Sequence, residues 1–420
     1  MSKKVFKQPA SLLYFTVLLF SLLLAGCQAP ETKKHRDEND SGMPAKDTVK
    51  KDTVSQALAL TAEKRTFKRT YNDLARFIAG MKHEEGSPLA KSENMPAWKQ
   101  YSTQVNNSWQ KLEKFHLQKI SSWASSEIGK NKTACPVLFY PFSGPDFLHA
   151  SYFFPGAEKY LLFALEPVGT LPLSDSICSG NDTLRGFLGT VNKSLYSILN
   201  FSFFQTKSME VNLKDELDGV LPLLMLFTVR TGHRIIDLRK VEIDSTGVIA
   251  AYRRAKKSIP GVEIIFEKIN PDTLHPAAQQ ALYYFSANLH DASLRKNMAF
   301  HEFIAREKAL FATYLKSASY LMYKNYFSEI RTLILGHSNF IVQDDSGIPF
   351  RFFKPEEWDV SLYGQYKAPI SLFANWYQDD LKAAYADTGK IKPLTFGIGY
   401  NWQSGQSSLL VAKKKLKSKV

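Results

Sequence analysis

The chain has 420 residues, of which 44% are hydrophobic, 13% aromatic and 22% charged, and its formal net charge is +14. This composition supports a large packed core and excludes a chain that is disordered throughout. Away from the N-terminus no uncharged run reaches the roughly 20 residues of a spanning helix, which excludes a polytopic membrane protein.

The N-terminus has the pattern of an export signal. Lys3, Lys4 and Lys7 precede 23 uncharged residues, from Gln8 to Pro30, whose centre is almost continuously apolar. A run of this length could also anchor the chain by crossing a bilayer. Its last part, Leu24-Ala25-Gly26-Cys27, resembles the lipobox of bacterial lipoprotein precursors. The resemblance implies removal of residues 1–26, a signal peptide, and acylation of the Cys27 thiol.

Cleavage at this point removes the three lysines, so the formal charge falls from +14 to +11. Gln28, rather than Asp, follows Cys27, which resembles the default signal for the outer membrane in lipoproteins of double-membraned bacteria. Basic chains often bind nucleic acid, but no nucleic-acid-binding motif is present. We therefore expect an envelope protein held to the membrane by lipid at Cys27. Anionic envelope polymers or lipids are candidate partners, unless the charge serves only solubility.

Residues 27–58 are predicted to form a disordered tether, because the stretch after Cys27 has closely mixed charge and no aromatic residue, Leu or Ile as far as Gln56. Helical spacing then predicts a helical hairpin over residues 59–130. In its second helix, from Trp98 to Trp123, the apolar stripe drifts by half a turn after Phe115.

Residues 131–412 are predicted to form an α+β body with a mixed sheet, followed by a basic tail at 413–420. Strand Val137–Phe142, a short helix and strand Tyr160–Glu166 form a parallel strand-helix-strand unit. Residues 184–230 are predicted to be mainly helical, and four strands then form an antiparallel meander: Arg234–Ile243, Val248–Arg253, Val262–Lys268 and Ala281–Leu289. The later predicted elements are a long helix from Phe300 to about Leu335, a hairpin of Phe340–Gln343 and Phe350–Phe353, a strand at Val360–Tyr366, a helix near Pro369–Tyr385 and a strand at Leu394–Tyr400.

Three stretches of the body, SGPD at 143–146, QDDSGIP at 343–349 and GIGY at 397–400, resemble secreted bacterial proteins of uncharacterised function. This resemblance implies no activity.

The candidate ligand site consists of Ser143, Asp146, His149 and Glu166. If the two strands are parallel, Ser143 and Glu166 lie at their carboxyl ends, where open α/β sheets bind ligands. Asp146 and His149 are three residues apart on a helix and share a face, so a Ser, His and acid arrangement is conceivable. A capping box formed by Ser143 and Asp146 is the simpler interpretation, and anion binding at the helix N-terminus is a third.

Two further groups of polar residues have competing interpretations. Asp344 and Asp345 either contribute to a divalent-cation site or form the turn of the predicted hairpin. His233 and His301 have no second ligand at metal spacing and are expected to be ordinary fold residues. The C-terminal lysines either contact anionic head groups or form a solvated tail; they are Lys413, Lys414, Lys415, Lys417 and Lys419.

Cys135 and Cys178 are the only thiols left once Cys27 is acylated, and outside the cytoplasm they are expected to form a disulfide. Two free, partly buried cysteines are the alternative.

The sequence favours a non-catalytic binding or assembly role in the envelope, because no recognised catalytic motif is present. The alternative is an envelope hydrolase that uses Ser143, Asp146, His149 and Glu166. No cofactor and no metal site are predicted.

Overall fold

The computed structural model describes residues 64–129, 136–172, 174–201, 217–269, 278–307 and 310–415. The predicted signal peptide, Cys27 with its predicted lipid, the predicted tether and Cys135 lie outside these residues. Lys417 and Lys419 lie outside them as well. Within the described ranges, no helix is both long and apolar enough to span a membrane.

The described chain contains both helices and strands. The helices are α1 (Arg69–Ile78), α2 (Pro96–Leu112), α3 (Gln118–Glu127), α4 (Phe147–Phe153), α5 (Ser174–Ile177), α6 (Asn181–Phe201), α7 (Leu221–Arg230), α8 (Asp291–Lys296), α9 (Ala299–Arg306), α10 (Ser328–His337) and α11 (Asp379–Ala384). The strands are β1 (Val137–Pro141), β2 (Lys159–Ala164), β3 (His233–Ile243), β4 (Ile249–Ala251), β5 (Ile259–Lys268), β6 (Gln279–Ser286), β7 (Phe311–Leu315), β8 (Ser338–Gln343), β9 (Trp358–Gly364) and β10 (Ser408–Lys414).

All of these strands form one mixed sheet in the order β4-β3-β5-β6-β2-β1-β7-β8-β10-β9. The five central strands, from β6 to β8, run parallel, and the strands on both flanks pair antiparallel. Numbered along the chain, the central strands have the order 3-2-1-4-5 of doubly wound α/β folds. The predicted mixed sheet and the parallel strand-helix-strand unit of β1, α4 and β2 are confirmed.

Helices cover both faces of the sheet, so the described body has three layers. Successive side chains of a strand point to opposite faces, and in β1 Leu138 and Tyr140 join one core while Val137 and Phe139 join the other. Helices α1 to α4, α6 and α7 pack on the first face, and α8 to α11 on the second. Parallel strands covered on both faces are buried throughout, which explains the uninterrupted apolar run of β1.

Helices α2 and α3 are one continuous helix interrupted by a π turn at Glu113–Leu117. The extra residue in this turn rotates the helix face and accounts for the half-turn drift in the apolar stripe. Two side chains of α2 connect it to α1: Trp98 Nε1 donates to the Phe77 carbonyl at 3.0 Å, and Tyr101 OH donates to the Ile78 carbonyl at 2.7 Å. The predicted hairpin, 59–130, begins and ends outside the described residues.

The predicted long helix from Phe300 to Leu335 is wrong. The segment contains α9, strand β7, two 3-10 turns and α10. Strand β7 is fully buried between β1 and β8, and a short apolar run such as Phe311–Leu315 suits a buried strand as well as a helix. Directly after β7, Ser317, Ser319 and Tyr320 have positive φ, which prevents a continuous helix.

The predicted C-terminal elements also need correction. Residues Phe350–Phe352 form a 3-10 turn, and β8 pairs with β7 and β10, so Asp344 and Asp345 are not a hairpin turn. Leu394–Tyr400 is not a strand; the last strand is β10, between β8 and β9. Lys413 and Lys414 belong to this strand and Lys415 N donates to Glu357 O at 2.8 Å, so the described part of the predicted tail is structured.

Two other predicted elements are confirmed only in part. The predicted helix near residues 369–385 divides into a 3-10 segment, Ser371–Trp376, and the short α11. The antiparallel meander has its predicted strands, but β3 lies between β4 and β5 and leaves β4 at the sheet edge.

Candidate functional site

The carboxyl ends of the parallel strands meet at one edge of the sheet, and each is followed within two residues by a polar side chain. Ser143 follows β1, Glu166 follows β2, Lys316 follows β7 and Asp344 follows β8. The chain order reverses between β1 and β7, and doubly wound folds bind ligands outside this switch point. The predicted site residues therefore lie at the edge that the fold class favours.

Asp146 caps the N-terminus of α4. Its Oδ1 accepts a hydrogen bond from the His149 amide at 3.1 Å. The predicted capping box is wrong, because Ser143 Oγ donates to the Gly144 carbonyl at 2.9 Å. Ser143 lies four residues before the first helical residue, whereas the carboxylate of Asp146 is placed to reach the first turn.

Asp146 is also the centre of a buried ionic cluster. Its Oδ1 lies 2.9 Å from His149 Nδ1, and its Oδ2 lies 2.5 Å from Lys316 Nζ. Lys316 Nζ is also 2.9 Å from His149 Nδ1, and Tyr140 OH donates to Asp146 Oδ2 at 3.0 Å. All four side chains are buried. The structure thus joins the predicted Asp146 and His149, and adds Lys316 and Tyr140.

The pKa values in this cluster reflect a competition between burial and the attraction of opposite charges. Burial alone would raise the pKa of Asp146, but the charges and hydrogen bonds of His149 and Lys316 outweigh it and lower that pKa. Burial lowers the pKa of His149 and also that of Lys316, against the attraction of Asp146. The half-buried His116 has its ring 5.9 Å from that of His149, and burial lowers the pKa of His116 to about 3.

Asp344 and Asp345 tie the loop after β8 to the loop after β7. Asp344 Oδ2 accepts from the Ser317 amide at 2.8 Å and its Oδ1 from the Ser346 amide at 2.9 Å. Tyr320 OH donates to Asp345 Oδ2 at 2.5 Å. Burial raises the pKa of both carboxyls, that of Asp345 to about 7. Protein donors occupy these oxygens, and the described residues contain no group of three or more side chains placed to hold a metal ion.

The SGPD, QDDSGIP and GIGY stretches converge at this edge. Gly399, in GIGY, has a φ of +69°, and a Cβ there would lie 2.0 Å from Asp344 Oδ2, in QDDSGIP. Tyr400 OH donates to the Ser317 carbonyl at 2.9 Å, next to Lys316, which binds Asp146 of SGPD. Only glycine fits position 399, because a side chain would meet the carboxylate and strain the backbone.

Ser143 and Glu166 border the ionic cluster without completing a catalytic triad. Glu166 is buried, and its carbonyl accepts from Tyr284 OH at 2.8 Å. Its Oε1 lies 3.8 Å from the position of a Cβ on Gly144, so the two loops are neighbours. A serine hydroxyl has one proton, and that of Ser143 is directed to the Gly144 carbonyl.

No protein-family model, curated protein or solved structure matches this chain. Its site therefore has to be judged from its own geometry. Sequence reasoning missed Lys316, because the run before it was read as a helix. Read as a strand, that run would have placed Lys316 at the same edge as Ser143 and Glu166.

The remaining predicted residues lie elsewhere. His233 packs its ring 4.9 Å from that of Phe266, and His301 Nε2 lies 3.4 Å from Glu329 Oε2. Both residues contact neighbours within the fold, as expected of fold residues. Cys178 is a half-buried thiol without a disulfide bond in the structure, and burial raises its pKa. Since Cys135 lies outside the described residues, the disulfide stays a prediction.

Proposed function

We propose that this chain is a lipid-anchored protein of the cell envelope whose body has a non-catalytic binding or assembly role. The LAGC lipobox supports the anchor at Cys27, and Gln28 supports the outer membrane as its location. The mature chain remains basic, which favours anionic partners in the envelope.

One observation carries the non-catalytic role: the side chains with catalytic chemistry are buried, and Asp146, His149 and Lys316 contact one another. Asp146 and His149 are fully buried, and Ser143 and Lys316 are each 4% exposed. A general base or nucleophile has to reach the substrate, directly or through one water molecule. Here the same groups connect α4, the end of β1 and the end of β7, so they stabilise the sheet edge.

The anchor is tested with Cys27→Ser in the native host. We expect the variant to leave the membrane fraction or to remain an unprocessed precursor, because the thiol that takes the lipid is gone. Membrane fractionation and intact mass measure both outcomes. A processed variant that stays in the membrane fraction would contradict the lipid anchor.

The non-catalytic role is tested with a fluorophosphonate probe, which labels activated serines. We expect the purified protein to show the same labelling as Ser143→Ala, with a known serine hydrolase as the positive control. Labelling that disappears in Ser143→Ala would contradict the proposal. It would favour the envelope hydrolase built on Ser143, Asp146, His149 and Glu166.

A further inference from the structure

A groove of about 470 Å³ follows the π turn and α3, and its other side is formed by Tyr363, Lys392, Pro393 and Thr395. The helical lining residues are Lys114, Gln118, Lys119, Ser122, Trp123, Ser126 and Glu127. They extend over about 20 Å of helix at about 1.5 Å per residue. An elongated groove of this kind suits a chain-like ligand better than a single small molecule.

The groove carries an excess of positive charge. Lys114, Lys119 and Lys392 line it together with one acid, Glu127. Lys392 Nζ lies 3.0 Å from Glu127 Oε2 and 3.2 Å from Tyr363 OH. Because the lysines keep their ammonium groups at the surface, an anionic ligand gains attraction without the cost of burying an unpaired charge.

The other lining groups suit a ligand rich in hydroxyls. Gln118, Ser122 and Ser126 offer amide and hydroxyl groups beside two aromatic rings, Trp123 and Tyr363, which lie 5.1 Å apart. Trp123 and Tyr363 are buried, so their rings form the floor of the groove, while the amide and hydroxyl groups on its rim can bond sugar hydroxyls. The buried indole Nε1–H of Trp123 has no hydrogen-bond acceptor among the described residues.

The π turn shapes one end of this groove. Such turns are rare and occur frequently at functional sites. Here the turn contains Lys114, which lines the groove, and His116, whose ring contacts that of His149. The π turn therefore connects the groove to the buried carboxyl-edge cluster through the contact of His116 with His149.

We propose that this groove binds an anionic polysaccharide of the cell envelope, a chain of sugars that carries carboxylate or phosphate groups. The inference rests on the binding role proposed above and names the class of partner. A lipid surface fits less well, because a flat bilayer would touch only the rim of a polar, concave groove. Phe115 lies next to Lys114 and is 62% exposed, so its ring could insert into a lipid surface. The test therefore includes lipid vesicles.

The experiment measures binding by calorimetry with the full-length lipidated protein in a non-ionic detergent. Alginate oligomers, which are chains of uronic acids, serve as the probe. Neutral glucan oligomers control for hydroxyl groups alone, and polyphosphate controls for charge alone. We expect alginate to bind more tightly than either control, with an affinity that falls as salt is added.

Variants localise the binding to the groove. We expect the double variant Lys114→Gln/Lys119→Gln to weaken alginate binding roughly tenfold, a loss of about 1.4 kcal/mol. The matched control Lys256→Gln/Lys296→Gln removes two exposed lysines elsewhere and should bind like the wild type. Glu127→Gln should strengthen binding, because it removes a repelling carboxylate and releases Lys392.

Three results would overturn the inference: equal losses in the two double variants, weaker binding by Glu127→Gln, or no binding of alginate. Binding to phosphatidylglycerol vesicles that requires Lys114 and Phe115, without alginate binding, would replace the polysaccharide by a lipid surface. These failures are distinct from failure of the proposed function. Labelling that depends on Ser143 contradicts the non-catalytic role whatever the groove binds. If the groove binds none of the probes and Ser143 is not labelled, the non-catalytic role still holds.

Discussion

The carboxyl edge of the sheet and the groove along α3 both gather charged residues, but in opposite environments. At the edge, Asp146 and Lys316 are buried and bonded to each other. In the groove, Lys114 and Lys119 are exposed and keep their water. Buried charges need their partners, so removal of one partner is costly, whereas exposed charges contribute little to stability and stay available for a ligand.

The strongest test of this contrast is Lys316→Met. The variant leaves Asp146 as a buried charge without its ammonium partner, so the free energy of unfolding should fall by about 3–5 kcal/mol. Urea denaturation measures the change. The control Lys256→Met, at an exposed site, should cost less than about 0.5 kcal/mol. Adding Asp146→Asn to Lys316→Met should recover part of the loss, and a Lys316→Met protein as stable as its control would remove the distinction between the two regions.

Acid should weaken the edge through His116. Burial puts the folded pKa of His116 at about 3, below its ordinary value, so the unfolded state binds more protons between about pH 3 and 6.5. The contribution of neutral His116 to the free energy of unfolding is therefore complete above about pH 6.5. It is lost as the pH falls, by up to about 1.4 kcal/mol per pH unit. The asparagine of His116→Asn cannot titrate, so the free energy of unfolding of this variant should depend less on pH. Urea denaturation at pH 7 and 4.5 measures the difference. An equal slope in both proteins would contradict the assignment.

Alkaline pH should reveal the buried acids after β8. The folded pKa of Asp345, about 7, lies above the ordinary value, so its contribution is present at low pH and is lost as the pH rises through about 7. Asp345→Asn removes the buried carboxylate but keeps an acceptor for Tyr320. We expect the variant to lose about 2 kcal/mol less stability than the wild type between pH 5.5 and 8. The titrations of Asp344 and Asp345 are coupled. If the stability of Asp345→Asn depended on pH as that of the wild type does, the titration would belong to Asp344 alone.

The smallest effect on stability is expected in the groove. Lys114→Gln and Lys119→Gln should each change the free energy of unfolding by less than about 0.5 kcal/mol, because both side chains are solvated. Urea denaturation of the same preparations used for alginate binding checks this. A loss above about 2 kcal/mol would mean that these lysines support the fold, as the edge residues do.

Local patterns in the sequence predicted several elements correctly. The strand-helix-strand unit of β1, α4 and β2 was predicted because a continuous apolar run identifies a buried strand. The drift of the apolar stripe after Phe115 was visible in the sequence and corresponds to the π turn. By contrast, β7 was mistaken for a helix and β10 was not predicted, because five apolar residues suit either structure and only their neighbours in the sheet decide.

The candidate site was predicted in the same uneven way. Asp146 and His149 meet because they are three residues apart on one helix, which the sequence shows directly. Lys316 is 167 residues from His149 along the chain, and no local pattern predicts that contact. Asp146, and not the predicted Ser143, caps α4. The exact start of a helix is among the features that are hardest to predict from a sequence.

The sequence by itself determined the features that depend on neighbours along the chain: the apolar runs of the strands, the amphipathic helices, the shared face of Asp146 and His149, and the LAGC sequence on which the proposed anchor rests. The tertiary structure alone decided the 3-2-1-4-5 order of the parallel strands, the burial of Asp146 against Lys316 and the contact of Gly399 with Asp344. The physical reason is the distance along the chain over which each interaction acts. Periodicity and capping act over a few residues, whereas strand order and the pairing of buried charges arise only when distant segments pack together.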